Sequence, residues 1–287
     1  DTDISAPNSV DNFFGFGNET VFNQQADDDF NVDKSIDYYR IRFKYFNQKA
    51  LLQAKLGPHA TFSIGHHFQA AKVEHDYDGD DRYFLDPDNV PNSETFFDWK
   101  AFEGALLRFH YDSRDNTKLP TRGIKWLTEF GAYAGLNDNS ENISILNSEL
   151  SFYFSIRLPS RLTVATRFGG GHNFGDAEFF QAQSLGGLSN LRGYRKTRFY
   201  GDSRFYNNTE LRLKLGTLPN RIVPVSVGIY GFNDVGRVWY QNEDSNKWHH
   251  GFGGGIWFSP LNVSVISLEL GKSEEELLFN FRLGFLL

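Results

Sequence analysis

Residues Thr209 to Gly216 alternate strictly. Thr209, Leu211, Leu213 and Leu215 share one face, and Glu210, Arg212, Lys214 and Gly216 share the other. Neighbouring side chains of a strand point to opposite faces, so this period of two sets an extended chain with one apolar and one charged side. The pattern recurs. Leu150, Phe152, Phe154 and Ile156 oppose Glu149, Ser151, Tyr153 and Arg157, and Val223, Val225, Val227 and Ile229 oppose Ser226, Gly228, Tyr230 and Asp234. At the C-terminus, Phe279, Phe281, Leu283, Phe285 and Leu287 oppose Asn280, Arg282 and Gly284.

A soluble sandwich alternates too, so length and face chemistry decide. Several runs exceed the ~5–6 residues of globular strands and approach the ~9–11 of tilted membrane strands. Strand after strand also carries Glu, Arg, Lys or Asp on its polar face. In a barrel these charges line a wet interior while the apolar face meets lipid. No run reaches the ~18 apolar residues of a spanning helix, which excludes a helical membrane protein and leaves a barrel open. An aromatic share of 16%, with 29 Phe, 13 Tyr and 27 Gly, suits strands, tight turns and an interfacial belt. The absence of cysteine fits an oxidising compartment. A net charge of -7 gives no support to nucleic-acid binding. With neither initiator Met nor signal peptide, the chain reads as processed or excised from something longer.

The connections fall into two classes. Short ones are Leu56–His59, Leu158–Arg161, Thr217–Asn220 and Ser259–Leu261, with Arg114–Gly123 as a longer member. Long, acidic or aromatic ones lie near 23–35, 76–95, 138–142, 175–201 and 239–247. The two classes alternate, as do the short periplasmic turns and long external loops of outer-membrane barrels. The expected fold is an all-β, transmembrane, antiparallel up-and-down β-barrel of about 12 strands, an even number as single-chain bacterial barrels require. The predicted strands lie near 10–22, 36–56, 59–75, 96–113, 122–137, 143–157, 162–175, 202–216, 222–238, 248–258, 262–271 and 277–287. Residues 1–9 read as a tail or linker, and 10–287 as the barrel. The run Ile36–Leu56 changes phase near Gln48, which predicts a bulge or a strand continuing past the membrane.

One pair of motifs stands out. Gly186 and Gly187 precede Leu191-Arg192-Gly193-Tyr194, and Phe232-x-Asp234-x-Gly236 follows on an alternating strand. The alternation puts Glu210 and Asp234 on inward faces, where either can accept an arginine carried into the lumen by the loop. With these belong Thr209-Glu210-Leu211-Arg212 and the segment Asp112–Asn116 with Leu119–Gly123. Together they resemble the BamA/TamA superfamily of outer-membrane barrels, the bacterial surface antigen family. The resemblance covers about the last two thirds of the chain, in the family's order. It implies that loop 175–201 folds into the lumen, with Arg192 as central lock, Asp234 as partner and Glu210 as neighbour or alternative acceptor. Phe279, Phe281, Phe285 and Leu287 form the expected C-terminal strand.

The resemblance further implies a Gram-negative outer-membrane location, with a periplasmic C-terminus and extracellular long loops. It implies contact with lipid, lipopolysaccharide, client polypeptides and accessory lipoproteins. The expected function is insertion or translocation of polypeptides, without catalysis or cofactor. The chain departs from the family in its strand count, since sixteen is usual and a truncated sixteen-strand type is the alternative fold. It also lacks upstream periplasmic transport repeats, and it ends on Leu287 where barrels commonly end on an aromatic. Short barrels with this signature also resemble membrane parts of proteins with a patatin-like or phosphoesterase domain, so an anchor or exit barrel for an upstream enzyme is the second reading. An integral lipid hydrolase is the third and needs a Ser-His pair that is not evident.

Other residues carry weaker signals. His66 and His67 should point to opposite strand faces and cannot share a metal by adjacency. No HExxH, GxSxG or cysteine ligand exists, so no metal site is expected. Asp76–Asp81 looks at first like a calcium loop. Its glycine is displaced, however, and Pro87 stands where the bidentate glutamate belongs, so it reads as an external acidic loop, as does Asp27–Asp29. Trp99, Trp126, Trp239, Trp248 and Trp257 are expected in the interfacial girdles.

Overall fold

The period-two runs all become strands of one sheet. A computed structural model describes residues 2–3, 9–22, 38–75, 82–91, 93–219, 223–241, 243–285 and 287. The order is β1 (Thr2–Asp3), β2 (Ser9–Asn12), β3 (Arg40–Lys55), β4 (Ala60–Val73), β5 (Lys100–Asp112), β6 (Gly123–Gly135), β7 (Ile143–Leu158) and β8 (Ser160–Phe174). There follow β9 (Gln183–Leu185), β10 (Phe199–Gly201), β11 (Ser203–Leu218), β12 (Val225–Trp239), β13 (His249–Pro260), β14 (Ile266–Lys272) and β15 (Leu277–Leu283). All except β9 and β10 join a 13-stranded antiparallel sheet in chain order. β1 and β2 lie along the same edge of β3 and count as one stave, so the described residues form twelve staves. β9 and β10 form their own hairpin inside the loop between β8 and β11.

Two boundaries differ from expectation at the N-terminus. Thr2–Asp3 and Ser9–Asn12 pair with β3, so part of the predicted tail is stave. Conversely, the predicted strand 10–22 stops pairing at Asn12, and Phe13 to Phe16 turn across the barrel mouth. The reason lies in the aromatic run: Phe13 and Phe14 are buried, and Phe16 bridges to Tyr200. The phase change in β3 is not a bulge, because its register with β4 is unbroken from Phe43 to Lys55. Its first residues lie at the long-connection rim, with Ile41 and Phe43 packing inward on the loops while Phe46 and Leu52 farther along face outward. The sheet's bulge falls instead in β11, between Lys214 and Gly216.

The faces sort as the alternation requires. Leu211, Leu215, Ile229, Phe252, Ile256, Leu270, Phe279 and Phe281 are exposed outward, while Tyr206, Asn208, Glu210, Arg212, Asp234 and Glu269 are buried inward. An apolar exterior around a charged interior inverts a soluble protein and requires lipid as solvent. Trp99, Trp239 and Trp248 stand exposed at the long-connection rim and Trp126 near the opposite one, as girdles do. Trp257 departs from this expectation. It sits on an inward position of β13, 2% exposed, and packs in the lumen.

The connections alternate between 56–59, 113–122, 159, 219–224 and 261–265 at one end and 13–39, 74–99, 136–142, 175–202, 240–248 and 273–276 at the other. At the long-connection end, Phe13, Phe43, Phe84, Phe96, Phe179 and Tyr200 pack into an aromatic plug. The predicted acidic loops at Asp27–Asp29 and Asp76–Asp81 lie outside the described residues. The C-terminal strand ends early. β15 stops at Leu283, Gly284 takes a φ of 121°, and the chain bends back into the lumen. Phe285 therefore packs on Tyr230 and Trp257, and Leu287 on Tyr153 and Ala165, whereas Phe279 and Phe281 keep the lipid-facing side.

Candidate functional site

Loop 175–201 enters the lumen and is held there by its own shape first. The hairpin of β9 and β10 forms its stem, and Gly187 N–H donates to the Tyr194 carbonyl at 3.0 Å to close the tip. Gly186 and Gly187 both have positive φ at the start of that tip. Asn190 braces it from within: its Oδ1 accepts from Gly186 N–H at 2.9 Å, and its Nδ2 donates to the Ser184 carbonyl at 2.9 Å. Leu185, Leu191, Tyr194 and Phe199 then pack on Tyr206 of β11 and Val238 of β12. Burial of this kind contributes roughly 1.5–3 kcal/mol for each large apolar side chain.

That packing delivers Arg192 to the wall with its side chain fully buried. Its Nε and Nη2 donate to the two oxygens of Asp234, at 2.7 and 2.8 Å, and its backbone N–H donates to the same carboxylate at 3.0 Å. Nη1 donates to Glu210 at 2.6 Å and lies 3.5 Å from Glu269. The guanidinium stacks 3.6 Å from the Phe232 ring centre. Both predicted acceptors are thus used at once, one bidentate and one single. Only a planar five-donor fork can serve this geometry; a lysine has one nitrogen to share.

The expected motif residues come together by strand spacing. Phe232, Asp234 and Gly236 are alternate residues of β12 and share its inward face, beneath the loop. A side chain at Gly236 would crowd Leu185 of the loop at 3.0 Å. Gly193 needs its glycine twice over, since its φ is 89° and a Cβ would meet the Lys272 carbonyl at 2.8 Å.

Sequence reasoning missed several members of the site. Glu269 on β14 accepts from Tyr230 Oη at 2.7 Å and adds a third carboxylate. Arg212, two residues after Glu210 on the same face, donates Nε and Nη2 to Glu210 at 2.8 and 2.6 Å and stacks on Phe285. Arg282 on β15 donates to the Leu188 carbonyl. Two guanidinium groups, Arg192 and Arg212, thus meet Glu210, Asp234 and Glu269, with Arg282 on the loop beside them. Arg167 donates to the Ser189 carbonyl at 2.5 Å, and Asn208 to the Asn190 carbonyl at 2.7 Å. Gly251 was also missed: a Cβ there would lie 1.7 Å from the Arg192 carbonyl oxygen, so the bare wall is what lets the loop backbone seat. The signal for Glu269 and Arg282 was available, because both are polar inward positions of alternating strands. Nothing in the spacing said which polar positions would meet the loop.

A second tie holds the loop at its outer end. Arg198 donates Nε to Glu275 at 3.0 Å and Nη1 to Thr20 at 2.7 Å, linking loop 175–201, the β14–β15 turn and the segment after β2. Burial pushes the Glu275 carboxyl up, with Arg198 opposing, and burial likewise raises the Tyr194 hydroxyl. Arg195 adds an ion pair to Glu276 at 3.0 Å.

The histidines do not assemble. His66 faces outward beside Glu103, while His67 is inward between Tyr133 and Asn47. Among the described residues no group of three or more ligating side chains could hold a metal.

A buried charged cluster of this sort is a device for geometry more than for stability. Desolvating these charges offsets much of their attraction, but removing one partner strands another. The cluster therefore specifies a single seat for the loop.

Comparison with known proteins agrees with this anatomy. The sequence matches none of the curated proteins. A crystal structure of BamA from Haemophilus ducreyi lacking POTRA domains 1–3 superposes with a TM-score of 0.60 at 14% identity. That similarity covers 85% of this chain and 53% of the other, so the chain spans about half the length of that relative. The model of the Omp85 superfamily domain matches residues 8–274, from β2 through β14, and includes Arg192, Glu210, Asp234 and Glu269. With residues 8–274 of the chain matched, the protein belongs to the Omp85 superfamily.

Proposed function

We propose that this barrel inserts or translocates polypeptides at the outer membrane of a Gram-negative bacterium, working at the junction of its first and last strands. The short connections and C-terminus then face the periplasm, and the plugged end faces outward. Clients would be unfolded polypeptides, with lipid, lipopolysaccharide and accessory lipoproteins as neighbours, and no catalytic step is assigned to the barrel. One observation carries the reading: the sheet ends on short staves. β14 and β15 have 7 residues each, whereas β11, β12 and β13 before them have 16, 15 and 12. The ladder between β14 and β15 has few hydrogen bonds to break, whereas the lumen is filled by the locked loop and the aromatic plug. A route along the wall therefore costs less than one through the middle.

The test is reconstitution. Liposomes carrying the folded chain should speed the membrane folding of an added unfolded outer-membrane barrel relative to empty liposomes. The gain should vanish when the first and last staves are joined by an engineered disulfide and return on reduction. Equal rates with and without the chain would refute the proposal and leave the role of membrane anchor for an upstream domain.

A further inference from the structure

On the outward face of β3 and β4, at the long-connection rim, the barrel wall turns from apolar to basic. Phe43 and Val73 are inward and buried, so Lys44 and Lys72 beside them point outward. The two lysines are also direct partners in the antiparallel register. Like charges placed opposite each other destabilise a ladder, and neither lysine makes an ion pair among the described residues. Arg42 and Arg40, both exposed, continue the outward row of β3 past the pair. A groove of about 400 Å³ opens at the pair, lined by Lys44, Lys72, Glu74, His75 and Phe97. Glu74 brings a carboxylate to it, and its N–H donates to the Arg42 carbonyl at 3.0 Å, so it stands beside Arg42. Two lysines against one glutamate leave the groove positive.

Height and asymmetry indicate what neutralises it. Lys100 pairs with Ala71, which puts the exposed Trp99 next to Lys72. An outward tryptophan there marks the boundary between lipid and water, so the lysines lie at headgroup level. Two residues farther down β3, Phe46 is exposed to lipid, and its ring centre lies 5.8 Å from that of Phe68 on β4. At the opposite rim the outward strand positions are apolar, among them Leu52, Phe62, Ile124, Phe154 and Leu158. No lysine or arginine takes an outward strand position at that rim among the described residues. The wall is matched to an anionic leaflet on one side only.

We propose that this face of β3 and β4 binds a phosphorylated, multiply acylated glycolipid, the lipid A part of lipopolysaccharide. One phosphate bridges Lys44 and Lys72, and Phe46 and Phe68 pack on an acyl chain below it. Lysine binds phosphate as a point charge, so two lysines on neighbouring strands share one anion without a fixed angle. A phospholipid present in both leaflets gives no reason for the bare opposite rim, whereas an anion confined to the outer leaflet does. The inference rests on the reading that the long connections face outward, and it does not depend on polypeptide transport.

The test titrates the full chain, in non-ionic detergent, with lipid A and follows binding by native mass spectrometry. One lipid A per chain should bind saturably, and dephosphorylated lipid A or phosphatidylglycerol about tenfold more weakly or worse. In Lys44→Gln/Lys72→Gln the half-saturating concentration should rise about tenfold or more. That variant removes a like-charge pair and should melt no lower than wild type, so its lost affinity is not lost fold. Lys55→Gln/Lys118→Gln, at the opposite rim, should bind as wild type does. Affinity that survives in the first variant, or phosphatidylglycerol bound as tightly as lipid A, overturns the inference and leaves the liposome test of transport standing. Orientation is read separately, by labelling Asn139→Cys on intact cells with a membrane-impermeant maleimide. Labelling supports the outward reading, and its absence removes the leaflet on which the inference rests.

Discussion

Replacing Arg192 by alanine tests whether the lumen cluster acts on the loop or on the barrel. The substitution removes the Nε and Nη2 bonds to Asp234 and the Nη1 bond to Glu210, all between buried groups. The three carboxylates Glu210, Asp234 and Glu269 lose the cation they share. Stranding a buried charge in this way costs about 3–5 kcal/mol. At about 1.4 kcal/mol per factor of ten, the undocked loop should become more populated by roughly two to three and a half orders of magnitude. The ladders of β11 and β12 do not pass through Arg192, so they should hold. Hydrogen–deuterium exchange on the purified barrel reads both. Peptides spanning 183–201 should lose protection by about that factor, while those from 203–218 and 225–239 stay within about threefold of wild type. Arg192→Ala/Asp234→Ala removes both members of the bidentate pair and should recover part of the loss, a coupling that a double-mutant cycle measures. Unchanged protection of 183–201 would refute the lock. Equal loss across the strands would show instead that Arg192 supports the barrel wall.

Three further outcomes are expected. Gly251→Ala places a methyl group 1.7 Å from the Arg192 carbonyl oxygen without altering any charge, so it should unseat the loop as Arg192→Ala does; wild-type exchange in 183–201 would contradict this. Arg198→Ala removes the bonds to Glu275 and Thr20 and should weaken the outer tie by about 2 kcal/mol, the scale of charge-assisted bonds. Limited proteolysis should then cut at Arg195 or Lys196, while the 183–185 stem stays protected. Phe13→Ala leaves a hole in the aromatic plug and should cost about 3–5 kcal/mol locally. Exchange should rise in 83–97 and 179–182 but not in 209–213, and a rise confined to the lock would mean that the plug is not a unit.

Much of the site was legible because strand geometry is periodic. Once 209–216 and 223–236 are strands, Glu210 and Asp234 must face the same way as Arg212 and Tyr230, whatever the rest of the chain does. The loop arginine followed from its glycine setting and the inward acids. Gly251 and Glu269 were not legible in this sense, although the period of two in their strands fixes their parity. Parity assigns a face, but only register and shear decide which residues of several strands lie at one height.

The alternation of apolar and polar residues by itself determined the sheet, its inward and outward faces, the lipid-facing belt and the alternating lengths of the connections. These are local consequences of a side-chain period of two, and no distant contact can reverse them without turning every residue of a strand over. The closing elements were decided by tertiary structure. Residues 285–287 continue the alternation of the last strand, and 13–17 alternate poorly, yet both were expected in strands. Phe13, Phe14, Phe285 and Leu287 turn inward instead, because the plug and the lumen floor offer them burial that a continued strand could not. The same holds for Trp257, which the composition sends to the lipid interface and the packing of β13 against the C-terminal bend keeps inside. Where a segment can satisfy its pattern in two places, the larger buried area wins, and that area exists only after the barrel has formed.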